Sequence, residues 1–89
     1  MVGLNDYRDE VRDFLEAVDS EGEDFAKDIE RLEKEFRLLK EGIDNDDRLR
    51  HQIYDMLFAL FSLAVKKDLD LDKEWMKGRE KKRKYMEQP

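Results

Sequence analysis

The chain has 89 residues, nearly half of them charged, with 24 acidic and 18 basic side chains, one histidine and no cysteine. That length holds one domain and buries only about 60% of its unfolded surface, so a lone monomer is marginal. The composition excludes a disulfide framework, a zinc–thiolate centre, thiol catalysis and a multi-histidine metal site, and no apolar run reaches the roughly 20 residues of a membrane span.

The first predicted helix covers about residues 6–19. Tyr7, Val11, Phe14, Leu15 and Val18 recur at helical spacing and make one apolar stripe. Asn5 or Asp6 is its expected cap, and Asp19-Ser20-Glu21-Gly22 its expected stop. The second helix is predicted over about 23–41. Phe25, Ile29, Leu32, Phe36 and Leu39 alternate steps of four and three, a narrow seam like that of a coiled coil. Gly42 suits the left-handed residue just past its end.

The third helix is predicted over about 46–67. It starts polar and turns apolar on nearly every face. Such a helix demands burial on most sides, so a homodimer or tetramer with this helix at its centre is expected. One narrow polar or small stripe interrupts it: Arg48, Gln52, Asp55, Ala59, Ser62 and Lys66. The connector DLDLD, residues 68–72, is expected to plug the bundle with Leu69 and Leu71 and to cap the next helix with Asp70 or Asp72. It is not a calcium loop, because Lys73 and Arg79 stand where that loop needs Gly and Glu. The fourth helix is predicted over about 73–86, with Trp75, Met76, Tyr85 and Met86 as a weak apolar face and a basic run from Lys81 to Lys84. The fold class is therefore all-α, a four-helix bundle in a single domain over 1–89.

Charge is unevenly divided. Residues 1–72 hold 21 acidic and 11 basic side chains, net −10, whereas residues 73–89 hold 3 and 7, net +4. The acidic body speaks against a nucleic-acid interface, which needs a broad basic face. The basic end reads as a solvated helix terminus favoured by the helix dipole, or as a seat for a small anion such as a nucleotide phosphate. The start, MVGLNDYRDE, lacks the basic and apolar regions of a signal peptide, so a cytoplasmic, membrane-free location is expected.

The candidates for chemistry are carboxylates, hard oxygen ligands that suit Mg²⁺. Glu30 and Glu33 stand three apart on the second helix, and Asp55 follows Gln52 by three on the third. Asp55 opens the apolar run MLFALFSLAV, where a carboxylate is costly unless paired or metal-bound. A basic residue of the last helix is one such partner and a metal is the other.

The stretch LLKEGIDNDDRLRHQIYDMLFALFSLAVKKDLDLDKEW resembles the MazG-like members of the all-α nucleotide pyrophosphatase group. KEG at 40–42 matches the turn of that family, QIYDMLFAL at 52–60 its E-x-x-D helix, DLDLD its connector and REKKRKY at 79–85 its closing basic pattern. The likeness covers roughly residues 25–86. It implies a four-helix fold assembled as a dimer or tetramer. It also implies hydrolysis of nucleoside triphosphates to monophosphate and pyrophosphate with Mg²⁺ or Mn²⁺. Glu30, Glu33, Gln52 and Asp55 would be the metal set, and Lys81 and Arg83 would meet phosphates. The chain departs from the pattern. Counted back from KEG, the E-E-x-x-E positions fall on Glu30, Arg31 and Lys34; Gln52 replaces Glu, and Lys82 replaces Asn. These replacements remove negative charge from a Mg²⁺ site. Two functional expectations result: a nucleotide-binding pyrophosphohydrolase with an incomplete ligand set, or a catalytically inactive assembly or regulatory protein on the same fold, with Lys34 paired to Asp55.

Overall fold

A computed structural model describes residues 2–18 and 25–88. It has four helices, α1 (Leu4–Ala17), α2 (Phe25–Glu41), α3 (Asp46–Lys66) and α4 (Leu71–Glu87), and no strand among the described residues. The expected stop of the first helix at 19–22 and the expected start of the second at Glu23 lie outside the described residues.

α1 begins earlier than its periodicity implied, and Gly3, not Asn5 or Asp6, is its N-cap. The Gly3 N–H donates to the Asp6 carboxylate at 2.8 Å, and the Asp6 N–H donates back to the Gly3 carbonyl at 3.2 Å. Asn5 serves another helix instead, accepting from the Leu71 N–H at 2.8 Å. The stripe of α1 packs on α3. Val11 and Leu15 are buried there, Phe14 meets Phe58 edge-on with centroids 5.4 Å apart, and Tyr7 tilts against Phe61 at 6.4 Å.

α2 and α3 form a hairpin, and the Asn45 side chain caps α3 by accepting from the Arg48 N–H at 3.2 Å. Gly42 does not take the left-handed conformation expected of it. Space is what it supplies: an added Cβ would stand 3.3 Å from the Arg48 Cβ. The left-handed residue is Asp68, at φ 51°. It ends α3 in a Schellman turn, with Asp68 N–H donating to the Val65 carbonyl and Leu69 N–H to the Ala64 carbonyl. Ala59, Ser62 and Ala64 are the buried positions of α3. The Ser62 hydroxyl donates to the Phe58 carbonyl one turn back, which satisfies it inside the packing.

Asp70 caps α4, accepting from the Lys73 N–H at 3.0 Å. The connector does not plug the bundle as expected, because Leu69 is exposed and Leu71 only half-buried. It is tied down by polar bonds: Arg8 donates to the Leu69 carbonyl, and Leu4 N–H donates to the Asp72 carboxylate at 2.8 Å. Beyond this junction α4 stands free, with every described residue from Lys73 onward exposed. The radius of gyration is 15.4 Å, against about 12 Å for a compact chain of this length. Nor does the single chain cover α3 on most sides, since Ile53, Leu57 and Leu60 stay about half exposed. No helix among the described residues is long and apolar enough to cross a membrane.

Candidate functional site

The polar stripe of α3 does find the face of α2, as antiparallel neighbours require, and it meets specific partners there. Lys66, at the end of the stripe, points its ammonium into the Asp28 carboxylate, with contacts of 2.9 and 2.7 Å. Both side chains are out of water, at 7% and 3% exposure. Ion pairs of this kind are strongly coupled to the fold, because removing one partner strands a charge. Beside it, Lys67 lies 4.3 Å above the Phe25 ring, a second tie between the start of α2 and the end of α3. Nearer the turn, the Gln52 amide donates both to the Glu35 carbonyl and to the Glu35 carboxylate.

Asp55, like Arg48 of the same stripe, turns outward. It is exposed and makes no hydrogen bond or ion pair among the described residues. Lys34 is also exposed and does not reach it. Glu30 and Glu33 lie exposed on α2, likewise without such partners. Of the four expected metal ligands, only Gln52 faces the neighbouring helix, and there its amide N–H, not its oxygen, makes the contacts. Among the described residues no three His, Asp or Glu side chains gather closely enough to hold a metal ion. Lys81 and Arg83 are exposed on the free length of α4, where Arg83 pairs with Glu80 at 2.7 Å.

The other side of the hairpin is apolar. At about 100° per residue, with Asp28 and Glu35 facing Lys66 and Gln52, two stripes come out on one common side. They are Phe25, Ile29 and Phe36 of α2, and Ile53, Leu57 and Leu60 of α3. α1 occupies the opposite side through Phe58 and Phe61. All six residues of the common side are 41–51% exposed.

A second polar cluster joins the N-termini of α1 and α4. The Asn5 oxygen accepts from Leu71 N–H at 2.8 Å, while the Asn5 amide donates to Asp70 at 2.9 Å. The Asn5 amide, then the Lys73 N–H, hold the Asp70 carboxyl below its ordinary value of 3.8. The sequence reading missed Asp28 and Glu35, and it assigned Asn5 to the cap of its own helix instead of to α4. The available signal for Asp28 was its phase: Asp28, Leu32, Glu35 and Leu39 share one face of α2, beside the seam and toward α3. No protein-family model, curated protein or solved structure matches this chain.

Proposed function

We propose that the chain is a self-assembling helical protein on a MazG-like fold, whose work is done by the assembled surface and not by nucleotide hydrolysis. The observation that carries this reading is the area left uncovered. The chain exposes 7319 Å², whereas a compact monomer of 10.8 kDa exposes about 5,500 Å². The excess of about 1,800 Å² per chain amounts, for two chains, to the size of an obligate dimer interface. The common apolar side of the hairpin is the surface that a second copy covers. The pairings of Asp28 with Lys66 and of Glu35 with Gln52 support the loss of catalysis. The first neutralises Asp28 and the second occupies Glu35 with a neutral amide donor, so neither acid is left to build the convergent negative charge that a metal site needs. Equilibrium sedimentation of the wild-type protein tests assembly: a dimer or tetramer is expected at micromolar concentration, and a monomer throughout overturns the reading.

One observation favours a second reading, a Mg²⁺- or Mn²⁺-dependent nucleoside triphosphate pyrophosphohydrolase. Glu30, Glu33 and Asp55 are exposed and free of partners among the described residues, so a second copy is able to complete their set. Metal titration by calorimetry beside Asp55→Asn, followed by pyrophosphate release from a triphosphate panel, decides it. Binding that is lost in the variant, together with pyrophosphate release, supports the enzyme. Absence of binding at millimolar metal rejects it.

A further inference from the structure

The apolar surface does not end with the hairpin. At about 100° per residue, the outer arc of α3 runs from Leu60 through Ile53 and Leu57 to Tyr54, and between residues 51 and 66 no charged side chain falls within it. Tyr54 is 64% exposed, and its ring tilts against Phe58 with centroids 6.4 Å apart. Phe58 in turn meets Phe14 of α1. On the other side of α1, Arg12, Leu15 and Glu16 line a groove with Val65 and Lys66. Tyr7, Phe14 and Val18 are thus left on the flank that continues the arc, each about half exposed. A half-exposed large apolar side chain offers about 100 Å². With the six residues of the hairpin side, these four leave open roughly 1,000 Å², whereas the largest patch on a typical monomer is about 300–600 Å².

Shape decides how a second copy sits on it. α1 and α2 each pack on α3, on sides of α3 that lie about 120° apart by helical phase. The apolar arc points away from both, so α3 stands on this face as a ridge. Ridges pack into grooves. We propose that α3 of one copy enters the α2–α3 groove of a second copy and, by two-fold symmetry, receives the second α3 in its own groove. The α2 seam of the second copy then falls on the far slope of the ridge, against Tyr54 and the flank of α1, so α1 belongs to the interface. The rims agree. Glu10 and Asp13, both exposed, border that flank, while Arg8 and Arg12 turn away to Leu69 and Asp68. On the seam that meets them, Lys67 and Lys40 stand over the rings of Phe25 and Phe36, and Glu33 and Arg37 beyond these offset each other. This rests on the reading that the chain self-assembles, and it extends the contact across α3 to α1.

The test uses the full-length protein. Dimer dissociation constants are measured by sedimentation for wild type, Tyr54→Lys, Val18→Lys and Ile29→Lys. All three positions are exposed in the single chain, and a lysine at the C-terminus of α1 suits its dipole, so the fold survives; circular dichroism is recorded alongside to confirm it. Tyr54→Lys and Val18→Lys, which lie off the hairpin side, are each expected to weaken the dimer about tenfold or more, because each buries an unpaired charge in the contact. Ile29→Lys, on the hairpin side, is expected to weaken it as well. A constant left unchanged by Tyr54→Lys or by Val18→Lys, with Ile29→Lys weakened, confines the contact to the hairpin and overturns the inference while leaving self-assembly in place. A constant left unchanged by Ile29→Lys removes the groove and overturns it too. A wild-type monomer overturns both readings.

Discussion

Two polar clusters hold this molecule in shape, and they differ in almost every physical respect. The Asp28–Lys66 pair is single, charged and out of water. The α1–α4 junction is a web of Asn5, Asp70, Asp72, Gly3 and Arg8, largely wet and built on backbone groups. In the first, each charge depends on one partner and has no water to replace it. In the second, several bonds share the task and solvent stands ready to substitute. Polar contacts in the same chain should therefore fail very differently when cut.

The comparison breaks most sharply at the buried pair. Asp28→Ala should lower unfolding stability by about 3–5 kcal/mol, because it leaves the Lys66 ammonium buried without compensation. Asp28→Leu with Lys66→Met should recover most of that loss. Urea unfolding at one fixed protein concentration measures both, and a single variant that costs no more than the double would show that the pair is not desolvated. Next in size is the junction. In Gly3→Ala the new Cβ would sit 2.7 Å from the Asp72 carboxylate, so the Leu4–Asp72 bond must open, at about 1 kcal/mol, the loss of one helix-capping bond. The same melt reads this loss.

A smaller effect concerns pH. Asp70 has its carboxyl held down by the Asn5 amide first and the Lys73 N–H second. Its folded value lies below its unfolded one, so its charge stabilises the fold at pH above the unfolded value near 3.8. That contribution is lost as pH falls through the folded value. Asp70→Asn keeps a capping oxygen but should flatten this part of the acid limb, which parallel melts between neutral and acidic pH would reveal. Smallest is Asp68→Gly. It relieves the left-handed backbone at φ 51° and gives up only a solvent-exposed contact with Arg12. A gain of about 0.5–1 kcal/mol is expected, and a loss would show that the Arg12 contact outweighs the backbone relief.

The four helices were legible because their apolar residues repeat at helical spacing, and local periodicity is what a sequence displays. The Asp70 cap was legible for the same local reason. What escaped was whatever joins distant segments. Asn5 looked like the cap of its own helix, but its oxygen is taken by Leu71, 66 residues away. Asp28 and Lys66 are 38 residues apart, so neither announces the other. Gly42 drew the left-handed assignment from composition, whereas the turn after α3 gave that conformation to Asp68. The candidate ligands Glu30, Glu33 and Asp55 were assigned to α2 and α3 by periodicity, but Asp55, expected to need a partner beside the apolar run, lies exposed. Their mutual distance depends on how the helices cross, which spacing along one chain does not encode.

The position of the junction also bears on the order of folding. The contacts that tie α2 to α3 close loops of 17 and 38 residues, whereas those that aim α4 close loops of 61 to 68 residues. Chain closure becomes harder as loops lengthen, by about 0.6 kcal/mol per doubling, and local contacts form soonest. The hairpin thus matures ahead of the clasp between the two ends of the chain. The cationic helix receives its direction last, when the anionic body from which it projects is already formed.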